Sequence, residues 1–191
     1  MINYLKSIDT SLFLLLNGLH NSFFDPIMAL ASEKYFWIPF YAVILVIIIR
    51  KHGVKSLILI IPALVLLITL SDQISVNLFK NIFERYRPCY NTSIQNLVHL
   101  VGSCGGQFGF ISSHAANSFA LATFLVLLMR NKALTWVVII WACWLSYSRI
   151  YVGVHYPADV AGGMGLGFVV GLLVWRALRQ INKKFNYIAT I

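Results

Sequence analysis

Ser148-Arg149-Ile150-Tyr151-Val152-Gly153-Val154-His155-Tyr156-Pro157-Ala158-Asp159 places an arginine, an imidazole and a carboxylate in one short stretch. Apolar runs flank it: Ala133 to Tyr147 leads into it, and Ala158 to Leu178 carries on from it. Ionisable side chains are costly at membrane depth, and where a chain keeps them they mark functional sites. Asp159 lies four residues after His155, within reach of a ring N–H, the arrangement by which a carboxylate fixes an imidazole's tautomer. Arg149 can grip an oxyanion through two parallel bonds. The stretch therefore reads as a chemically loaded connection between two membrane spans.

Composition supports that reading. The 191 residues are 59% hydrophobic and 11% charged, against roughly 25% charged in a soluble domain. Runs of about 18 or more apolar residues are candidate spans. Five are expected: Tyr35 to Ile49, Val54 to Asn77 (with Pro62 tolerated inside), Ser113 to Met129, Ala133 to Tyr147 and Ala158 to Leu178. The last is rich in glycine (Gly162, Gly163, Gly165, Gly167, Gly171), which permits close helix approach. In residues 1–34, Leu5, Ile8, Leu12, Leu15 and Leu16 recur at helical spacing, but Asp9, Asn17 and His20 interrupt any spanning run. One or two interfacial helices are expected there, the second capped by Asp25 with Pro26 in its first turn. A sixth, re-entrant or spanning helix is the rival. The fold class is an all-α integral membrane protein of one domain, with N-terminal helices over 1–34 and a transmembrane core over 35–191. No cleavable signal peptide is expected, because Met1 to Leu19 lacks a basic n-region and a small-residue cleavage site.

The formal charge of +9 is distributed, not striped. With five spans, Arg50, Lys51, Lys55, Arg130, Lys132, Arg176, Arg179, Lys183 and Lys184 share one side, and only Lys6 and Lys34 face them outside the motifs. That bias puts the first group in the cytoplasm and argues against nucleic acid as a partner.

Two more segments carry chemistry. Lys80-Asn-Ile-Phe-Glu-Arg-Tyr-Arg87-Pro88 follows the second span. Read as a continuing helix ended by Pro88, it would project Lys80 and Arg87 from one face, two turns apart. Ser112-Ser113-His114 opens the third span, where unpaired N–H groups and hydroxyls form an anion site. Lys80, Arg87 and Arg149 suit the oxygens of a phosphate ester, and His155 and His114 suit attack and protonation. A phosphatase is the leading expectation. An anion transporter or channel would account for the intramembrane arginines, but not for His155 with Asp159 and His114.

Together the three segments resemble the type 2 phosphatidic acid phosphatase family, which shares its site with vanadium haloperoxidases. The family pattern is Lys-x6-Arg-Pro, then Pro-Ser-Gly-His, then Ser-Arg-x5-His-x3-Asp. The first and third are complete here; in the second, Ile111 replaces the proline and Ser113 the glycine. The resemblance implies that His155 is a nucleophile forming a phosphohistidine, that Asp159 orients it, and that His114 protonates the leaving oxygen and then activates water. It implies that Lys80, Arg87, Ser112, Ser113 and Arg149 hold the phosphoryl oxygens. Neither a metal nor another cofactor is expected, since cations already supply the electrostatics and no cysteine–histidine ligand set is evident. A haloperoxidase activity is disfavoured, because those enzymes are soluble and this chain is not.

The expected partners are a phosphorylated membrane lipid and the bilayer. The compact body and the Ser-Ser-His variant resemble small Gram-negative envelope phosphatases, which implies lipid A phosphate as substrate. Undecaprenyl diphosphate and phosphatidylglycerol phosphate are the alternatives. The expected location is the bacterial inner membrane, with the site facing the periplasm. Cys89 and Cys104 share a loop on that side and either pair or stay free, and Cys143 is expected to pack inside a span. Asp72, two turns before Lys80, either lines the site or serves structure.

Overall fold

The structure, a computed structural model, describes residues 2–188; residues 189–191, the end of the expected core segment, lie outside it. Its helices are α1 (Ile2–Gly18), α2 (Phe24–Ser32), α3 (Ile38–His52), α4 (Leu57–Gln73), α5 (Asn81–Phe83), α6 (Ser113–Met129), α7 (Lys132–Tyr151) and α8 (Pro157–Phe185). No strand occurs among the described residues, only one antiparallel bridge between Tyr86 and Phe108. Tyr35–His52, Val54–Phe83, Lys132–Tyr151 and Pro157–Phe185 are each long and apolar enough to cross a membrane. The chain is a multi-pass membrane protein. The 17-residue α6 packs among α4, α7 and α8 at the centre of the bundle.

Glycine sets the tightest contact. Gly163, Gly167 and Gly171 recur every four residues on α8, one face of the helix. A methyl group at Gly163 would meet the Ser112 carbonyl at 2.5 Å, and one at Gly171 would meet the Ala120 carbonyl at 2.6 Å. The expectation of close approach thus holds on this face and at Gly162, but not at Gly165, which faces open space. The larger core gathers Leu67, Phe124, Leu125, Leu128, Val138, Trp141, Val170 and Val174. At the basic end, Lys51 donates to the Met129 carbonyl, joining the ends of α3 and α6.

Three local expectations are corrected. The segment from Lys80 to Pro88 is not one helix. After a π-helical stretch, Ile74–Lys80, the helix ends at Phe83, because Glu84 adopts a left-handed φ of 44° and turns the chain into the Tyr86–Phe108 bridge. Asp25 does not cap α2. The Asn21 side-chain oxygen accepts from the N–H groups of Phe23 and Phe24, while Asp25 accepts from Tyr151 Oη (2.8 Å) and pairs with His99 Nε2 (3.0 Å). Cys143 is exposed on α7 and does not pack in the core. Tyr151 and His99 hold the Asp25 carboxyl below the usual carboxylate range.

α1 docks through one stripe. Asp9, Phe13 and Asn17, spaced four apart, face the bundle, while Leu5, Ile8, Leu12 and Leu15 are exposed. Phe13 meets the Tyr156 ring edge-on at 5.3 Å. Asn17 donates to the carbonyls of Tyr151 (2.7 Å) and His99 (3.0 Å) and accepts from the His99 N–H (2.8 Å).

Candidate active site

Three helix ends and one loop converge. Pro157 at the first position of α8 and Asp159 two residues on form a capping arrangement: Asp159 Oδ2 accepts the Tyr156 N–H at 3.0 Å. The same oxygen lies 3.5 Å from His155 Nδ1, and both side chains are buried. Nδ1 makes no full hydrogen bond to a side chain among the described residues, and the Gly109 backbone lies against the ring. The carboxylate stands beside the ring at a distance that shortens in many catalytic pairs once substrate is bound. Burial, and then the charges of Arg87, Arg149 and Lys80, hold His155 well below the ordinary imidazole range. That favours the neutral ring, the form in which an imidazole can act as a nucleophile.

Ser112 caps α6. Its hydroxyl accepts from the Ala115 N–H (3.5 Å) and its N–H donates to the Asp159 carbonyl (2.9 Å), which ties the start of α6 to the start of α8. Ser113, at the family's glycine position, uses its hydroxyl to receive Lys80 Nζ at 2.7 Å and to bond Ser75 at 2.6 Å. Ile111, at the proline position, fills the groove left by Gly162: a methyl there would meet Ile111 Cγ2 at 2.6 Å. Arg87 donates through Nη1 to the Cys104 carbonyl (2.7 Å) and through Nε to the Phe108 carbonyl (3.3 Å). Cys104 is bonded to Cys89, with Cα atoms 6.2 Å apart, so the paired alternative holds. The staple thereby fixes the carbonyl that receives Arg87. Burial lowers the Arg87 pKa, yet a guanidinium stays charged. Arg149 keeps a buried Nε without a hydrogen bond among the described residues.

A cavity of about 590 Å³ joins these groups. Lys80, Arg87, Ser113, His114, His155 and Asp72 line it near the motifs, and Ile48, Leu64, Leu121 and Leu125 line it deeper. From Ser113 to Leu125 along α6 is roughly 18 Å of depth at 1.5 Å per residue. A second cavity of about 300 Å³ reaches Arg87, His114 and Arg149 from the loop side, beside Glu33, Lys34 and Gly105. The fold thus brings together Lys80, Arg87, Arg149, Ser113, His114 and His155, with Asp159 behind His155 and Ser112 in the adjoining cap. Asp72 lines the cavity.

The PAP2 superfamily matches residues 59–183. The chain belongs to this family. A Bacteroides thetaiotaomicron protein named lipid A 4'-phosphatase is 40% identical over 97% of this chain and 84% of its own length. A Porphyromonas gingivalis protein of the same name is 34% identical over 92% of this chain and 75% of its own. Among solved structures, Aquifex aeolicus LpxE superposes with a TM-score of 0.64 at 26% identity, covering 87% of this chain and 94% of that one.

Sequence reasoning missed Arg85 and Asp9. Arg85 lies within the first motif, and both of its terminal nitrogens bind carboxylates, Asp159 at 2.8 Å and Asp9 at 2.6 Å. An intramembrane-edge acid such as Asp9 was the available signal.

Proposed function

We propose that this PAP2-superfamily membrane phosphatase removes a phosphate group from a lipid, with lipid A 4'-phosphate as the substrate, at the periplasmic face of the inner membrane. The observation that carries the reading is the cavity: three cations and two histidines share it or its neighbour, and one end runs deep among apolar side chains. A water-soluble phosphate ester would have no use for that depth, whereas an acyl chain drawn from the bilayer can enter it without meeting water, which would cost about 0.8 kcal/mol per exposed methylene. The lipid A choice rests on the two named relatives, and the facing rests on the distribution of basic residues.

In this mechanism His155 attacks phosphorus and forms a P–N bond while the P–O bond to the lipid breaks. His114 donates a proton to the departing oxygen. Lys80, Arg87 and Arg149 stabilise the charge spreading over the equatorial oxygens. Ser113 and Ser112, expected to hold phosphoryl oxygens, take supporting roles instead: Ser113 holds Lys80 in place, and Ser112, fully buried, joins α6 to α8 so that the two histidines keep their separation. Water then attacks the phosphohistidine, His114 takes its proton, and phosphate leaves as His155 is restored.

The test is phosphate release from lipid A, undecaprenyl diphosphate and phosphatidylglycerol phosphate in detergent with chelator present, for wild type and His155→Ala. Release from lipid A that His155→Ala abolishes supports the reading. Release that survives His155→Ala overturns the nucleophile, and a stronger preference for either other lipid overturns the substrate.

A further inference from the structure

Asp159 does not reach His155 by a hydrogen bond of its own; other groups decide where it points. Its Oδ1 receives Arg85 Nη1 at 2.8 Å, and its Oδ2 receives the Tyr156 N–H at 3.0 Å. Arg85 in turn gives Nη2 to Asp9 Oδ2 at 2.6 Å, and Asp9 Oδ1 accepts the Ala158 N–H at 2.8 Å. Asp9 therefore grips both the arginine and the first turn of α8, one residue before Asp159. Arg85 also lies over the Tyr156 ring, 4.0 Å from its centroid. Side-chain exposure is 0% for Asp159, 11% for Asp9 and 21% for Arg85. Carboxylates so far removed from water are stable as anions only when paired.

Arg85 lines neither cavity, and both of its terminal nitrogens are occupied, so it is not placed to hold a phosphoryl oxygen. Its planar fork gives each carboxylate its own nitrogen, a fixed geometry that the single ammonium of a lysine does not reproduce. The rest of the α1 stripe, Phe13 and Asn17, locks onto Tyr156, Ile150 and Tyr151 in the segment that carries His155.

Building on the nucleophile assignment above, we propose that Asp9 and Arg85 are positioning residues: a clamp from α1 and the loop after α5 that aims Asp159 at His155. The N-terminal helix is on this account a working part of the catalytic centre.

The experiment measures kcat and KM on lipid A in detergent for full-length Arg85→Gln, Arg85→Lys, Asp9→Asn and the Asp9→Asn/Arg85→Gln double variant, with His155→Ala alongside. Arg85→Gln should lower kcat on the order of 10²-fold, the scale of an approximately 1 Å misplacement, with KM within about twofold. Asp9→Asn, the milder change, should lower kcat about tenfold, and the double variant should be no slower than Arg85→Gln, since both act through Asp159. Arg85→Lys should recover only part of the loss. Wild-type kcat in Arg85→Gln, full recovery in Arg85→Lys, or losses that multiply in the double variant would each overturn the clamp. If Arg85→Gln does not fold, Asp9→Asn decides: an unchanged kcat, or a loss expressed only in KM, overturns it. An active His155→Ala would instead refute the nucleophile assignment itself.

Discussion

Replacing Gly163 by alanine should separate two helices that the active site needs in contact. The new methyl carbon would stand 2.5 Å from the Ser112 carbonyl oxygen, 3.0 Å from Ala115 Cβ and 3.2 Å from the Ala116 N. Two of those atoms are backbone, so no rotamer change relieves the overlap, and α6 and α8 must part by roughly 0.5–1 Å, enough to restore van der Waals separation. Overpacking of this kind costs about 1–3 kcal/mol. The shift falls where the Ser112 N–H meets the Asp159 carbonyl at 2.9 Å, and it moves His114 on α6 relative to His155 and Asp159. Misplacement on this scale lowers turnover on the order of 10²-fold. Gly165→Ala is the matched control, on the same helix with nothing within 4 Å of the added carbon; it should be neutral or stabilising by up to about 1 kcal/mol. Thermal unfolding in detergent and kcat on one lipid phosphate, run on both variants, provide the comparison. Equal melting temperatures and equal kcat would refute the packing argument.

His114→Ala should cost on the order of 10²- to 10⁴-fold in kcat, and less on substrates with better leaving groups; a uniform loss would contradict the acid role. Because His155 is held below its ordinary value, the neutral nucleophile persists as pH falls until that lowered pKa is passed, so the acidic limb of kcat/KM should lie below about 6.5, and a limb at or above it would contradict the assignment. Cys89→Ser should remove a loop constraint worth about 3 kcal/mol for this spacing and loosen the Cys104 carbonyl that holds Arg87, raising KM; an unchanged melting temperature and KM would show the staple to be idle. A cysteine at exposed Asn96 should react with an impermeant reagent added outside intact cells, and labelling only after lysis would reverse the topology.

Much of the local chemistry was legible in the sequence, the cap expected from Asp25 excepted. The apolar runs identify the spans because a backbone in lipid must satisfy its own hydrogen bonds, and the glycines of α8 announce close packing. Ser112 before α6 is a legible cap, since a cap is a contact between residues three apart; the capping arrangement of Pro157 and Asp159 at the start of α8 emerged only in the structure. The three motifs named every side chain proposed for the phosphoryl site. What the sequence could not supply was the path between elements. Lys80 and Arg87 looked like neighbours on one helix, but a left-handed residue at Glu84 and a bridge to Phe108 redirect the chain, a long-range pairing with no local signature. Asp9, Asn17 and His20 looked like interruptions of a span; Asp9 and Asn17 are instead the polar contacts that key α1 onto the loop of His155. Arg85 received no role from the sequence, and it is held between two carboxylates 76 residues before and 74 residues after it in the chain. Composition and spacing record which groups are present. Which of them neutralise one another is decided only when folding removes them from water together, because only there does pairing outweigh hydration.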